Sequence, residues 1–425
     1  MAQPLFRAPV GTRDILPPES SRRRRLVRVF ADLADRSGFG LLESPVFEDF
    51  GVFQRLGADN DVVTKELFEF FDKGDPPRHL ALRPELTASV CRAFAEHRPT
   101  PPWKIWYSGP QFRYERPQAG RYRQFDQVGV ETLGTADPYA DVEVIGLGMR
   151  FYEALGMRRV RLLLNSLGDP ESRPVYDAAL ADYLQSRRGE LSEQSRLTLE
   201  RNPLRVLDSK RVEDQPVIAA APVMADYLSG AAAEHFAAVR DGLDSLGAAY
   251  EVSPRLVRGL DYYTRTTFEF VADALDTAQN AVGGGGRYDG LVEELGGPPA
   301  PGIGFALGVD RILLACDREG AFAAASSPVE VFVVDTAGGR SAAVLCDQLR
   351  QAGLGADRAF DSRSMKAQMR RADRSGAKVA VIVGPDEQAE GAVTVRDMRP
   401  GGGQRQVPDS ELVTAVAALL AGRDQ

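Results

Sequence analysis

The 425-residue sequence predicts a mixed α and β protein of two or three domains. Three observations point there. The chain is longer than a single hydrophobic core sustains. Between Trp103 and Leu133, two strand-like runs, Lys104–Glu115 and Arg123–Leu133, flank a loop rich in Arg, Gly and Pro, the pattern of a hairpin. Beyond an Ala/Ser-rich linker at Gly320–Pro328 the rhythm becomes β-α-β-α-β, which implies a small α/β domain with a partly parallel sheet.

The remaining elements follow in order. Leu26, Phe30 and Leu33 recur at helical spacing, so Ser20–Gly38 reads as a helix that Ser20 or Ser21 caps and Gly38 closes. Arg22–Arg25 crowd its start against the helix dipole and read as a solvated face. Val175–Leu184 is helical, inside a polar stretch from about 170 to 225 that looks like an insertion. Strands return at Gly259–Val271, Ala281–Arg287 and Gly302–Leu307, the last running into a helix at Val309–Asp317. In the C-terminal part the elements are Val329–Asp335, Ser341–Ala352, Gly355–Phe360, Ser364–Ser375 and Lys378–Val383. Met365, Met369 and Ala372 form the expected buried stripe of one helix, with Arg363, Lys366, Arg370 and Arg374 on another face.

Composition narrows the function. Hydrophobic residues make up 44% and charged residues 26%, ordinary values that exclude a wholly disordered chain. No run of about 18 apolar residues occurs, and Met1–Asp14 has no export-signal pattern. Cys91, Cys316 and Cys346 are scattered and odd in number, so neither a disulfide framework nor a metal cluster is expected, and a reducing cytoplasm fits. The net charge of −8 argues against a generic DNA-coating protein. Pro328–Gln425 holds 13 Lys/Arg and 13 Asp/Glu, so the acidic excess lies wholly upstream. A local basic face can therefore still meet a nucleic acid.

Candidate chemistry gathers in seven stretches of the sequence. On the second hairpin strand, alternation puts Phe125, Gln127, Gly129 and Glu131 on one face and Val128 and Val130 on the other. A floor for a small polar ligand and a plain exposed strand face both satisfy that pattern. Arg113, sharing a face with Glu115, suits bidentate contact with phosphate, or a surface Arg–Glu pair. The loop Arg116–Arg123 is basic and can cover a nucleotide or touch an RNA end, or lie as a plain solvated loop. Glu85 and Thr87 could grip an α-ammonium, or open a helix as a capping box. Arg258, before Gly259, could stabilise a transferring phosphoryl group. The glycine run Gly283–Gly286 lets the chain pass close to a ligand or a strand, yet matches neither a P-loop nor a dinucleotide fingerprint. Arg311 falls in the first turn of a helix, where an anion is already favoured. His79, His97 and His235 lie outside all of these segments, so imidazole acid–base chemistry is not expected. Arg, Glu and bound Mg²⁺ would carry an electrostatic, positional chemistry.

The order of these segments is more specific than any one of them. Phe112-Arg-Tyr-Glu115, a loop, Arg121-Tyr-Arg-Gln-Phe125 and then Gly308-Val-Asp-Arg311 resemble motifs 2 and 3 of the class II aminoacyl-tRNA synthetases. Glu43-Ser-Pro-Val-Phe47 resembles motif 1, whose Pro (Pro45) lies at the dimer interface in that class. Leu256–Tyr263 and Gly285–Leu291 resemble the two signatures peculiar to histidyl-tRNA synthetases, and Gly11–Asp14 and Asn202–Lys210 are also typical of them. The resemblance covers nearly the whole chain.

It implies an α+β catalytic domain at 1–325 with a six-stranded, mainly antiparallel sheet flanked by helices, a helical insertion at about 170–225, and a separate C-terminal α/β anticodon-binding domain at 328–425. It implies a cytoplasmic homodimer that uses ATP, Mg²⁺, L-histidine and tRNA(His). By resemblance, Arg113 and Arg311 bind the ATP phosphates and Glu115 lies near the adenine. Arg258 stabilises the α-phosphate under attack. Glu85, Thr87 and Gln127 hold the α-amino end, while Glu131, Tyr262 and Tyr263 read the imidazole. Gln118 and Arg121 approach the acceptor end of the tRNA. Apart from the resemblance, Arg363, Lys366, Arg370 and Arg374 read as a solvated basic face or, since the rest of the chain is acidic, as a tRNA-contacting face. Reading imidazole through paired polar groups discriminates strongly, so no editing domain is expected. Leu86 stands where Gly is common and would crowd the pocket slightly. Tyr114 and Asp126 replace a common His, and Asp310 a common Glu.

Two other readings exist. A histidine-sensing regulatory subunit of ATP phosphoribosyltransferase would resemble this catalytic domain, but such proteins usually lack the anticodon domain and erode the Arg here numbered 258. A ligase for another amino acid would leave the two histidyl signatures unexplained.

Overall fold

The computed structural model describes residues 5–55, 61–259, 261–275, 280–323, 329–360 and 364–422. The chain divides into two compact units, one ending at Ala323 and the other beginning at Ala324.

The first unit begins with α1 (Glu19–Arg36), β1 (Gly40–Leu41), β2 (Phe47–Asp49), α2 (Phe50–Gln54), α3 (Asp61–Lys65), β3 (Glu69–Phe71) and β4 (His79–Leu82). There follow α4 (Thr87–His97), β5 (Trp103–Phe112), β6 (Gln124–Leu133), α5 (Pro138–Ala154) and β7 (Val160–Ser166). Helices α6 (Ser172–Ser186), α7 (Glu193–Arg201), α8 (Gln215–Ala219) and α9 (Gly230–Ser245) come next. The unit closes with β8 (Glu251–Val252), β9 (Thr264–Ala272), β10 (Ala281–Arg287), α10 (Leu291–Glu294), β11 (Gly302–Gly308) and α11 (Val309–Glu319).

Its main sheet has eight strands in the order β1-β5-β6-β11-β10-β9-β7-β8, which corrects the expected six. Six strands, β5 to β7 in that order, pair antiparallel, and β1 and β8 each add one short parallel strand at an edge. Two-residue strands carry no alternation to read, which is why they escape the sequence pattern. One face of the sheet packs under α1, α5, α9 and α11 through Phe30, Phe151, Val130, Phe268 and Phe305. Each fully buried Phe of this kind contributes about 1.5–3 kcal/mol. The opposite face is left to α4, α10 and the site. Residues from Tyr176 to Met224 close a core of their own with Leu180, Leu199 and Val206.

Helix α1 begins at Glu19, one residue early, and neither Ser20 nor Ser21 caps it. The expectation of a solvated Arg22–Arg25 face fails. Arg22 Nη1 pairs with Asp317 Oδ1 at 2.5 Å, Arg23 is 7% exposed, and Arg25 lies over the Phe322 ring. Glu19 is a local i,i+4 partner of Arg23 at 3.6 Å, but Asp126, Asp310 and Asp317 come from distant segments that no local pattern announces. Gly259–Tyr263, expected as strand, precedes β9, which begins at Thr264. Residue 260 lies outside the described residues.

The second unit runs β12 (Val331–Asp335), α12 (Arg340–Gln351), β13 (Ala356–Arg358), α13 (Met365–Ser375), β14 (Val379–Val383), α14 (Pro385–Glu390), β15 (Ala392–Asp397), β16 (Gln404–Pro408) and α15 (Leu412–Ala421). The sheet order is β13-β12-β14-β15-β16, parallel across the first three strands and antiparallel beyond. Alternation splits β12 between two cores. Val331 and Val333 pack toward α12 and α15, and Phe332 and Val334 toward α13. On α13, Met369 and Ala372 face that core but Met365 is 45% exposed, against expectation. Gln368 takes the inward place instead, exchanging hydrogen bonds with the Asp335 backbone at 3.0 and 2.6 Å.

Candidate active site

The strand pattern puts Gln127, Gly129 and Glu131 on the face away from the large core, where β6 is paired with β5 and β11. Above them opens a cavity of about 240 Å³. Gln127 and Phe125 line it, with Glu85 and Thr87 from the start of α4. Gln127 Oε1 is buried and has no hydrogen-bond partner among the described residues, so an N–H-bearing ligand would satisfy it. Glu85 serves both readings offered for it. It lines the cavity, and its carboxylate accepts from the backbone N–H of Thr87 and Ala88 at 2.8 Å, capping α4. Burial raises its pKa against those bonds.

Glu131 sits beneath the cavity rather than on its wall and is fully buried. Three hydroxyls donate to it: Tyr288 at 2.5 Å, Thr87 at 2.8 Å and Tyr107 at 3.3 Å. Burial outweighs these bonds, and with the nearby Glu85 charge it pushes the Glu131 carboxyl up to about 8. Across the strand pair stands Gly304, where any side chain would run into the Glu131 carboxylate. Leu86 packs into the core with Val90 and Tyr107 and does not line the cavity, so the expected crowding does not arise.

Guanidinium groups arrive from three separate segments. Arg113 lies one residue past β5, Arg258 precedes β9, and Arg311 is in the first turn of α11; all three line the same cavity. Arg113 Nε donates to the Pro84 carbonyl at 2.9 Å, and Arg311 Nη1 to the Ala281 carbonyl at 2.9 Å. Arg258 Nη1 pairs with Glu269 Oε2 at 2.6 Å while its buried Nε has no partner among the described residues. The glycine run explains that placement. A Cβ at Gly284 would come 2.8 Å from Arg258 Nη1, so the bare strand is what lets the guanidinium lie across it. Burial, and then repulsion from Arg121 and Arg113, lower the pKa of Arg311, partly offset by Glu115 and Glu269. A wall of desolvated cations of this kind favours a polyanion.

Two carboxylates at the rim are neutralised from α1 and the segment before it. Arg23 reaches Asp126 at 2.7 Å and Asp310 more closely still, and Arg13 reaches Asp310 at 3.1 Å while lying over the Tyr122 ring. The Arg123 N–H donates to the Gly11 carbonyl at 2.8 Å, tying Gly11–Asp14 to the loop. Arg121 lines the cavity and pairs with Glu115 at 2.8 Å. Tyr262 and Tyr263 also line it, their ring centroids 4.6 Å apart.

The remaining residues singled out from the sequence are elsewhere. Gln118 lies in the loop, bridged to Arg121 by backbone, and is not on the cavity wall. Lys366, Arg370 and Arg374 are exposed along α13 in the second unit, and Arg363 lies outside the described residues. Sequence reasoning misses Glu269 and Tyr122, which line the cavity, and Tyr107 and Tyr288, which hold Glu131. Tyr288 lies two residues past the glycine run, a signal that could have raised it.

Comparison with known proteins gives one consistent picture. The family model described as histidyl-tRNA synthetase matches residues 11–312, and that described as anticodon binding domain matches 330–419. The chain is 49% identical over 421 residues to a histidine–tRNA ligase of Nocardia farcinica, covering 98% of each chain. It is 47% identical over 425 residues to one of Corynebacterium urealyticum, covering 99% of this chain and 98% of the other. Among solved structures it is similar to an apo histidyl-tRNA synthetase of S. aureus, at 35% identity with a TM-score of 0.81, covering 97% of this chain and 100% of that one.

Proposed function

Because the chain belongs to the histidyl-tRNA synthetase family, we propose that the cavity beside Gln127 is where histidine and ATP meet. The chain is a histidine–tRNA ligase: it activates L-histidine with ATP and transfers the aminoacyl group to tRNA, with a class II catalytic sheet and a separate anticodon-binding domain. The regulatory-subunit reading is not favoured, since relatives matched over their full length are ligases.

The reading of the site rests on one observation, the convergence of Arg113, Arg258 and Arg311 on one cavity that also holds Glu85, Thr87 and Gln127. The histidine carboxylate attacks the α-phosphorus, and the bond to the β-phosphate oxygen breaks to release pyrophosphate. Arg113 and Arg311 bind the phosphates, Glu115 lies near the adenine, and Arg258 stabilises charge on the α-phosphate as attack proceeds. Glu85, Thr87 and the unpartnered Gln127 oxygen hold the α-ammonium. Tyr262 and Tyr263 face the imidazole, with Glu131 acting on it from beneath. In the second step a terminal ribose hydroxyl of tRNA attacks the activated carbonyl and AMP leaves. Gln118 and Arg121 approach that end, and Arg363, Lys366, Arg370 and Arg374 contact the tRNA elsewhere.

Mg²⁺ belongs to this proposal as an ion carried on the triphosphate, where it neutralises phosphate charge. Among the described residues no three His, Cys, Asp or Glu side chains form a metal cage, and of the wall carboxylates Glu269 stands beside Arg258, where it would meet an ion carried on the phosphates. Residues 1–325 form the catalytic domain, with 170–225 inserted, and 328–425 the anticodon-binding domain. We place the enzyme in the cytoplasm as a homodimer joined near Pro45, where Phe47 is 51% and Phe71 66% exposed. Among the described residues no single helix is long and apolar enough to cross a membrane. Histidine-dependent ATP–pyrophosphate exchange, followed by charging of tRNA, tests the assignment. A chain that binds histidine yet supports neither reaction would refute it.

A further inference from the structure

The segment Asn202–Lys210 has no part in the chemistry above, yet it touches the segment that carries Arg258. Asn202 caps a short 3₁₀ turn at Pro203–Asp208, and Leu204, Val206 and Leu207 anchor that turn in the helical core with Tyr176 and Leu180. From this base Arg205 reaches outward. Its Nη2 donates to the Gly259 carbonyl at 2.7 Å and to Asp261 Oδ1 at 3.0 Å, and its Nε approaches the same oxygen at 3.3 Å. Asn202 Nδ2 also donates to that oxygen, at 3.4 Å. The fork of one guanidinium therefore holds the main chain immediately after Arg258 and a side chain two residues later.

Arg258 depends on such support. Its tip pairs with Glu269 and lies over the Tyr263 ring at 5.9 Å, while its buried Nε has no partner among the described residues. On the sheet side the bare backbone of Gly284 offers a surface but no grip. On the helical side Val257 packs against both the helical core and the core under α4, so the direction of residue 258 is set where these two cores meet.

We propose that Arg205 is a positioning residue for the activation step, clamping Gly259 and Asp261 so that Arg258 meets the α-phosphate in its stabilising geometry. This rests on the assignment of Arg258 above. A misplacement of about 1 Å at a reacting centre can cost up to about 100-fold in rate. Loosening one of its supports should cost about tenfold, and the loss should appear in kcat, because the interaction matters most in the transition state.

The test is a double-mutant cycle read by histidine-dependent ATP–pyrophosphate exchange on the full chain. Arg205→Ala is expected to lower kcat about tenfold with KM for ATP and histidine within about twofold, and Asp261→Asn to lower it in the same direction. In an Arg258→Ala background the added Arg205→Ala change should cost less than about twofold, because its effect passes through Arg258. An Arg205→Ala kcat within about twofold of the parent would overturn the inference, as would an equal loss in both backgrounds. Full activity of Arg258→Ala alone would instead overturn the reading of the site, and this inference with it. If Arg205→Ala does not fold, Arg205→Met decides by the same criteria, since it keeps an unbranched apolar stem and removes every donor to the Gly259 carbonyl and Asp261.

Discussion

Arg258 and Glu269 meet on the wall of the cavity, Nη1 to Oε2 at 2.6 Å, so the cation is already oriented by the sheet. A guanidinium held this way needs little reorganisation when a phosphate arrives. Arg258→Ala should lower kcat for pyrophosphate exchange by about 10²–10³, and Arg258→Lys should not restore it, since a point ammonium lacks the fork. A loss of less than tenfold would remove Arg258 from the chemistry.

Glu131 makes the fold sensitive to pH. Its carboxyl ordinarily titrates near 4.5 but is held up to about 8 in the folded chain, first by burial. Between those values the folded state binds more protons than the unfolded one. This site's contribution to stability is therefore complete below pH 4.5 and falls as pH rises toward 8, by at most about 1.4 kcal/mol per pH unit. Glu131→Gln should flatten that part of the curve of Tm against pH. An unchanged slope would mean that Glu131 is not the group responsible.

Arg23 is the least replaceable of the four arginines that open α1. Removing it strands the Asp310 carboxylate, whose side chain is 6% exposed, with only the half-exposed Arg13 to balance it. Breaking a buried pair from one side costs about 3–5 kcal/mol. Arg23→Ala should accordingly lower the urea midpoint clearly, while Arg24→Ala, on the exposed side of the same helix, should not. Equal effects would return the whole run to a solvated face.

The basic side of α13 should be felt in tRNA binding alone. Neutralising Lys366, Arg370 and Arg374 together with Arg363 should weaken binding and reduce the salt slope by about 0.7–0.9 for each phosphate no longer neutralised. Histidine activation should be untouched. Filter binding across a salt series reads the first effect and pyrophosphate exchange the second, and unchanged tRNA affinity would dismiss the assignment.

Legibility follows range. Local period suffices for β10, found at Ala281–Arg287 as expected, and for β11 and α13 to within a residue or so. The alternation of Gln127, Gly129 and Glu131 against Val128 and Val130 locates the sheet face that carries the site. It cannot tell that Glu131 is sealed under the floor by Tyr288, because that hydroxyl comes from 157 residues away. The Arg22–Arg25 run defeats a local reading for the same reason, its acidic partners lying near 126, 310 and 317. Residues 385–421 form α14, β15, β16 and α15; the alternation of Val393 and Val395 with polar neighbours in β15 is a local signal, while the apolar run of α15 has little amphipathic period to betray it.

The eight-stranded sheet ends on both sides in a strand of two residues, Gly40–Leu41 and Glu251–Val252. An open sheet is exposed to self-association through backbone groups left unpaired along its margins. Here each margin is too brief to template a further strand. Brief outermost strands of this kind disfavour continuation of the floor by backbone pairing with another chain, so association between copies falls to side-chain contacts.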